Sequence, residues 1–293
     1  MKLSEASILF VDDEPGLRDI FEKWLLHAGC ASVLTCADGE EALAALATSH
    51  FDLLISDIRM PRVDGITLVR RRWEAGGRVP CVIFVSGFSD IVPREMYALG
   101  VEAFLPKPTR REEFFRIIGR SLAERSELWG TPLLPPPRQF ITSPGVDSGL
   151  LPSCNQASCL DRFGLPALGR GGFSLHYPRP VALGKVGFNL SWGPELPPLR
   201  GEGIVRWRSR EQRILGVEFE WLEPACREAV LNHIATTRPR SYIPDFIIPN
   251  PVASRPEHSP ALDKSFDRNS PTESTSDDTA PLPLSLQVSL PHR

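Results

Sequence analysis

Between Ser7 and about Arg125, short β-branched apolar runs alternate with stretches of helical periodicity, and that alternation leaves few folds open. The runs Ser7 to Val11, Val33 to Cys36, Asp52 to Ser56, Cys81 to Val85 and Glu102 to Leu105 read as strands. Among the intervening stretches the clearest is Leu17, Ile20, Phe21, Trp24 and Leu25, which recur at the spacing of one helix face. Strands separated by helices imply a parallel sheet. Ile8-Leu9-Phe10-Val11 and Val82-Ile83-Phe84-Val85 are apolar throughout, so this sheet is expected to be covered on both faces. Five such units make a doubly wound α/β domain over residues 1–125.

Proline marks where that pattern stops. Six of the 29 prolines lie from Pro132 to Pro152 and ten from Pro239 onward. Residues 126–152, with Pro135-Pro136-Pro137 and Ser143-Pro144-Gly145, read as a linker of stiff and flexible pieces. Over 153–236 the texture becomes antiparallel: Phe173 to Tyr177, Val186 to Trp192, Gly203 to Arg208 and Leu215 to Glu220, separated by turn signals. A small β-barrel or sandwich is expected, closed by a helix from Pro224 to Ala235 whose first position suits proline. Residues 237–293 are poor in apolar side chains and read as a mostly disordered tail. Tyr242, Ile243, Phe246, Ile247 and Ile248 are the exception, and both docking and a free tail stay open for them.

Composition narrows the function classes. With 33 Lys plus Arg against 36 Asp plus Glu there is no wholesale basic footprint for nucleic acid or anionic membrane. No stretch approaches the roughly 18 apolar residues of a membrane span. The start lacks the order of a secretory signal, so the cytoplasm is expected. Six cysteines, at 30, 36, 81, 154, 159 and 226, form no CxxC pair and read as free thiols. Cys30, Cys36 and Cys81 are read as packing residues.

Chemistry concentrates at the ends of the first set of strands. Asp12 and Asp13 fall at the end of the first, Asp57 at the end of the third, Ser86 at the end of the fourth and Lys107 after the fifth. In an open parallel sheet these carboxyl ends form the binding crevice. Clustered acids repel, and a hard divalent cation such as Mg²⁺ relieves that repulsion and can orient a phosphoryl group.

The segments ILFVDDE, LLISDIRMPRVDG, VSGFSD and FLPKP, in this order and register, resemble a response-regulator receiver domain of flavodoxin-like fold. The resemblance implies that Asp57 is the phosphoacceptor, taking a phosphoryl group from a sensor histidine kinase. It implies that Asp13, Asp57 and the backbone carbonyl of Arg59 hold Mg²⁺, with Asp12 acting through water. Lys107 would pair with the phosphoryl oxygens, Ser86 would hydrogen-bond them, and Phe104 would follow as the aromatic switch. The Lys107-Pro108 bond is often cis in such domains. Arg59 and Phe88 would flank the path of attacking water, and bulky Phe88 is expected to slow hydrolysis. The face carrying Phe104 is a common pairing surface, so a homodimer is one state the resemblance allows.

Residues 153–236 resemble a PilZ domain, a small barrel known for binding cyclic di-GMP. The likeness rests on the Gly171-Gly172-Phe173 strand start, Gly203 to Trp207 and Gly216 to Phe219. That family takes its ligand with an RxxxR arm and a DxSxxG turn. Here the turn reads Ala167-Leu168-Gly169-Arg170-Gly171-Gly172 and only its last glycine matches, while Arg138 and Arg162 stand alone upstream. The expected output is therefore a degenerate PilZ-like unit that acts on a downstream protein target. The alternative is a cyclic di-GMP receptor with a divergent site, for which Arg170 and Gly172 are the candidates. Arg206, Arg208, Arg210 and Arg213 read as a solvated edge among neighbouring glutamates. Trp192, Trp207 and Trp221 read as packing. A DNA-binding output is disfavoured because no basic recognition helix follows the linker. An enzyme is disfavoured because no nucleophile and base pair appears outside the acidic crevice.

Overall fold

The computed structural model describes residues 1–76, 79–87, 92–143 and 165–245. In the N-terminal half, β1 (Ser7–Val11), β2 (Ser32–Cys36), β3 (Leu53–Asp57), β4 (Cys81–Ser86) and β5 (Val101–Pro106) form a parallel sheet of order β2-β1-β3-β4-β5. Each lies within a residue of its sequence-based expectation. The connecting helices are α1 (Pro15–His27), α2 (Gly39–Thr48), α3 (Gly65–Glu74) and α4 (Pro93–Leu99), with α5 (Arg111–Leu122) after β5. Alternate strand residues feed opposite faces, as a two-residue side-chain period requires. Leu9, Val11, Leu54, Val82 and Phe84 join one core, while Ile8, Phe10, Ile55, Ile83 and Val85 join the other with Phe21 and Phe114.

Local chemistry sets the helix ends. Asp38 caps α2 by accepting from the N–H groups of Glu40 and Glu41, and Asp64 caps α3 through the N–H of Thr67 at 2.6 Å. Gly100 ends α4 in the left-handed conformation at φ +101°, and a Cβ there would meet the carbonyl oxygen of Arg240 at 2.7 Å. Glycine thus both stops the helix and admits a distant segment of chain.

The second sheet contains β6 (Phe140–Thr142), β7 (Ala167–Leu168), β8 (Gly172–His176), β9 (Gly184–Leu190), β10 (Leu199–Ser209) and β11 (Ile214–Leu222), in the order β6-β9-β10-β11-β8-β7. Its pairings are antiparallel except for the parallel β6 and β9 pair. Between the two sheets lies the short α6 (Arg125–Leu128), and α7 (Pro224–Thr237) follows β11. The core contains Trp129, Ile141, Phe173, Phe188, Val217, Phe219 and Val230.

Two boundaries differ from expectation. The proline-rich stretch is not a bare linker, because Trp129 is 1% exposed within the core of the second sheet and β6 supplies one of its edges. A large apolar ring is too costly to leave in water, and Ile141 follows it inward. Nor is residue 237 where ordered chain stops: Tyr242 and Ile243 are buried. Phe246, Ile247, Ile248 and the expected tail beyond lie outside the described residues, as do Phe88, Cys154, Cys159 and Arg162. No helix among the described residues is long and apolar enough to cross a membrane.

Candidate functional site

The sheet brings Asp12, Asp13 and Asp57 together, each offering a carboxylate oxygen within 4.8 Å of the others. Asp12 and Asp57 are buried and Asp13 is exposed, so the cluster opens to solvent on one side. Lys107 Nζ lies 2.5 Å from Asp57 Oδ2 and 3.0 Å from Asp12 Oδ2. Its backbone N–H donates to the Ser86 carbonyl at 3.0 Å, which fixes the loop after β5 against the end of β4. The Lys107-Pro108 bond is cis. Asp57 Oδ1 accepts from the N–H groups of Ile58 at 2.6 Å and Arg59 at 3.2 Å, so one carboxylate oxygen faces backbone and the other faces the lysine. Ser86 is buried, with its hydroxyl 3.3 Å from the Gly87 carbonyl.

Burial raises the Asp12 carboxyl above its ordinary value, against the hydrogen bonds from Glu14 and Lys107. Burial alone would lower Lys107, but its hydrogen bonds to Asp57 and Asp12 outweigh it and raise the ammonium. The donor set is oxygen only, which suits a hard divalent cation. The carboxylate of Asp57 beside that cation position, with an ammonium at its other oxygen, is arranged to accept a transferred anionic group.

The sequence profile described as "Response regulator receiver domain" matches residues 8–119. Residues 8–119 form a response-regulator receiver domain. Over 129 residues the chain is 36% identical to the DNA-binding transcriptional regulator NtrC of Salmonella typhimurium, a match covering 43% of this chain and 26% of that protein. It is 35% identical over 105 residues to the Regulator of RpoS of Escherichia coli, covering 35% of this chain and 30% of that protein. The chain thus spans about a quarter to a third of the length of these curated relatives. Among solved structures, chemotaxis protein CheY4 of Vibrio cholerae is similar at 31% identity and TM-score 0.37, over 40% of this chain and 99% of that one. The second sheet lies outside the matched residues of the receiver. Receiver domains bind Mg²⁺ at an acidic cluster, and in this receiver that cluster is Asp12, Asp13 and Asp57.

Beyond the crevice, the receiver's α4, β5 and α5 pack against the second sheet. Phe104, half-buried on β5, meets Tyr97 of α4 edge to face at 5.2 Å. Tyr97 in turn stacks on Tyr242, which arrives after α7. The Tyr242 N–H donates to the Tyr97 carbonyl at 2.9 Å and its hydroxyl donates to Glu218 of β11 at 2.7 Å. Glu218 also accepts from Arg120 of α5 at 2.9 Å and from Arg206 of β10 at 2.5 Å. Arg206 is therefore not part of a solvated edge: its partner is 3% exposed.

Glu102 anchors a second buried cluster. Arg125 pairs with one of its oxygens and Arg170 with the other, the latter at 2.5 Å. Burial would raise the Glu102 carboxyl, but the charges of Arg125 and Arg170 hold it below its ordinary value. Arg170 also donates to the Gly100 carbonyl at 2.8 Å.

The turn read as a remnant ligand motif is thus an element of the contact between receiver and second sheet. The N–H groups of Arg170 and Gly171 donate to the carbonyls of Ser241 and Tyr242, each at 2.9 Å. A Cβ on Gly171 would fall 2.0 Å from the Tyr242 ring, and one on Gly172 would fall 2.1 Å from the Val217 carbonyl. Both glycines therefore permit close packing. The sequence offered one clue to this network: Glu102 is a lone acid in a strand whose neighbours are apolar.

Proposed function

We propose that the chain is a two-component response regulator in which Asp57 accepts a phosphoryl group from a sensor histidine kinase and a PilZ-like second unit carries the output through protein contacts. In the transfer, an Asp57 carboxylate oxygen attacks the phosphohistidine phosphorus, the new P–O bond replaces the P–N bond, and the imidazole leaves. Mg²⁺ held by Asp12, Asp13 and Asp57 would supply charge neutralisation for the incoming oxygens. Lys107 is already within hydrogen-bond reach of Asp57 and can pass to those oxygens. Ser86, tied through its carbonyl to the Lys107 N–H, is the hydroxyl donor of the same loop pair.

The observation that carries the output reading is the aromatic line from Phe104 through Tyr97 to Tyr242. Movement of Phe104 inward would withdraw an edge contact from Tyr97, whose other face supports Tyr242. Closure of the second sheet on the receiver thus becomes sensitive to the state of Asp57. The pairing of Arg170 with Glu102 favours output through protein contacts over a cyclic di-GMP receptor built on Arg170 and Gly172. That arginine is already committed to a buried carboxylate.

The test uses the full chain with acetyl phosphate and Mg²⁺. Asp57 should be labelled, and amide hydrogen exchange at Tyr242 should speed up, with both effects abolished by Asp57→Asn. Labelling without a change at Tyr242 would leave the receiver intact and remove the proposed coupling.

A further inference from the structure

Two sets of arginines stand in contrast. Arg94, Arg120, Arg125, Arg170 and Arg206 each meet a carboxylate. Arg179, Arg208, Arg210 and Arg213 have no ion pair among the described residues, and all four line one depression of about 360 Å³ in the second sheet. Among the described residues no acid lines it, and the turn's own Glu211 is exposed outside it. The floor is buried and largely apolar, formed by Tyr177, Val181 and Leu215 of the second sheet's core.

Two hydrogen bonds join the loops that supply the arginines. Arg208 Nη1 donates to the Val181 carbonyl at 2.6 Å, tying β10 to the loop between β8 and β9. The Tyr177 N–H donates to the Arg213 carbonyl at 2.7 Å, tying the same loop to the turn between β10 and β11. Arg213 adopts φ +52°, a left-handed backbone that a residue with a side chain takes up at a cost. The rim is therefore organised before anything binds.

Four guanidiniums around one opening repel one another, and an anion that accepts from several of them relieves that repulsion. Planar forked donors match phosphate oxygens, and the volume falls within the usual range for small-ligand sites. An apolar floor beneath a basic rim suits a ligand with a charged end and a flat organic body rather than a bare ion. We propose that this depression binds a phosphate-bearing small molecule of mononucleotide size, with the phosphate on the arginines and the body over the floor. It lies at the far end of β8 from the Gly169 to Gly172 turn, roughly 16 Å along the strand. The proposal is independent of phosphorylation at Asp57.

The test is calorimetric titration of the full-length Asp57→Asn chain in EDTA, which silences the acidic crevice. The probes are guanosine monophosphate, adenosine monophosphate, pyrophosphate and the nucleosides. At least one mononucleotide should bind saturably at one site per chain with Kd below about 1 mM. Arg179→Gln/Arg210→Gln should weaken it at least tenfold, and Arg170→Gln should leave it unchanged. Arg179 and Arg210 are exposed, and an unchanged unfolding midpoint will confirm that the variant is folded. The proposal is overturned if no mononucleotide binds, if binding survives the double substitution, if Arg170→Gln removes it, or if a nucleoside binds as tightly as its phosphate.

Discussion

Tyr97 and Tyr242 stack with ring centroids 5.9 Å apart and planes 25° from parallel, although 145 positions separate them in the chain. One belongs to the receiver's α4, and the other reaches it only after the second sheet and α7 are complete. Removing the second ring should therefore be felt in both units. Tyr242→Ala should cost about 3 kcal/mol in denaturant unfolding, in the range for deleting a buried aromatic. Tyr242→Phe should cost about 1 kcal/mol, because Glu218 keeps Arg120 and Arg206 when the hydroxyl is lost. Equal losses for the two variants would show that the ring contributes nothing.

Glu102 is the acid on which two buried arginines depend. Glu102→Gln should destabilise by about 3 kcal/mol, since it leaves Arg125 and Arg170 facing a neutral amide. The pH dependence has a definite sign. A carboxyl whose folded pKa lies below its ordinary value of 4.5 contributes stability above that value and loses it as the pH falls through the folded pKa. The wild-type advantage over Glu102→Gln should accordingly be full at pH 7 and shrink below pH 4.5. An advantage that stays constant into acid would contradict the pairing.

The acidic crevice predicts a cation-linked stability. Mg²⁺ should raise the thermal midpoint in a saturable way, because it binds the folded arrangement of Asp12, Asp13 and Asp57 and not the unfolded chain. Asp13→Asn should abolish most of that rise. Asp13 is exposed, so the variant's midpoint without Mg²⁺ should stay near wild type. EDTA should stop acetyl-phosphate labelling of Asp57.

Burial, with a smaller push from Glu41, raises the Cys36 thiol to about 11. Such a group stabilises the fold below its ordinary value of 9.0 and loses that contribution as the pH rises toward 11. At pH 8 the thiol is therefore held in its unreactive protonated form. Peptide mapping after iodoacetamide at pH 8 should find Cys36 unmodified in the native protein and fully modified in urea. Rapid native labelling would mean that β2 opens readily.

What the sequence made legible followed from local rules. The first five strands were readable within a residue because apolar runs of that length have no other use in an alternating pattern, and the crevice was readable because its acids sit at strand ends. The contact between the two units was not. Arg120 and Glu218 carry no mark that they meet, and near-neutral local charge made Arg206 look solvated when it neutralises a buried acid. β6 was hidden for a different reason: three residues after a proline run are too short to show a period. Arg170 and Gly172 drew notice without their packing partners, since a turn with one matching glycine looks the same in sequence whether a ligand or Tyr242 lies over it.

The place of Trp129 bears on how this protein can be taken apart. Its indole lies inside the second sheet's core, yet its position in the chain is just after the receiver's last helices. The seam between the units is therefore offset from the proline run that advertises it. A chimera that grafts a new receiver at residue 153 would leave Trp129 and β6 behind and hand the recipient an incomplete fold. A cut between Leu122 and Arg125 would carry the whole cassette, and the new receiver would have to supply counterparts of Tyr97, Glu102 and Arg120 for Tyr242, Arg170 and Glu218 to meet.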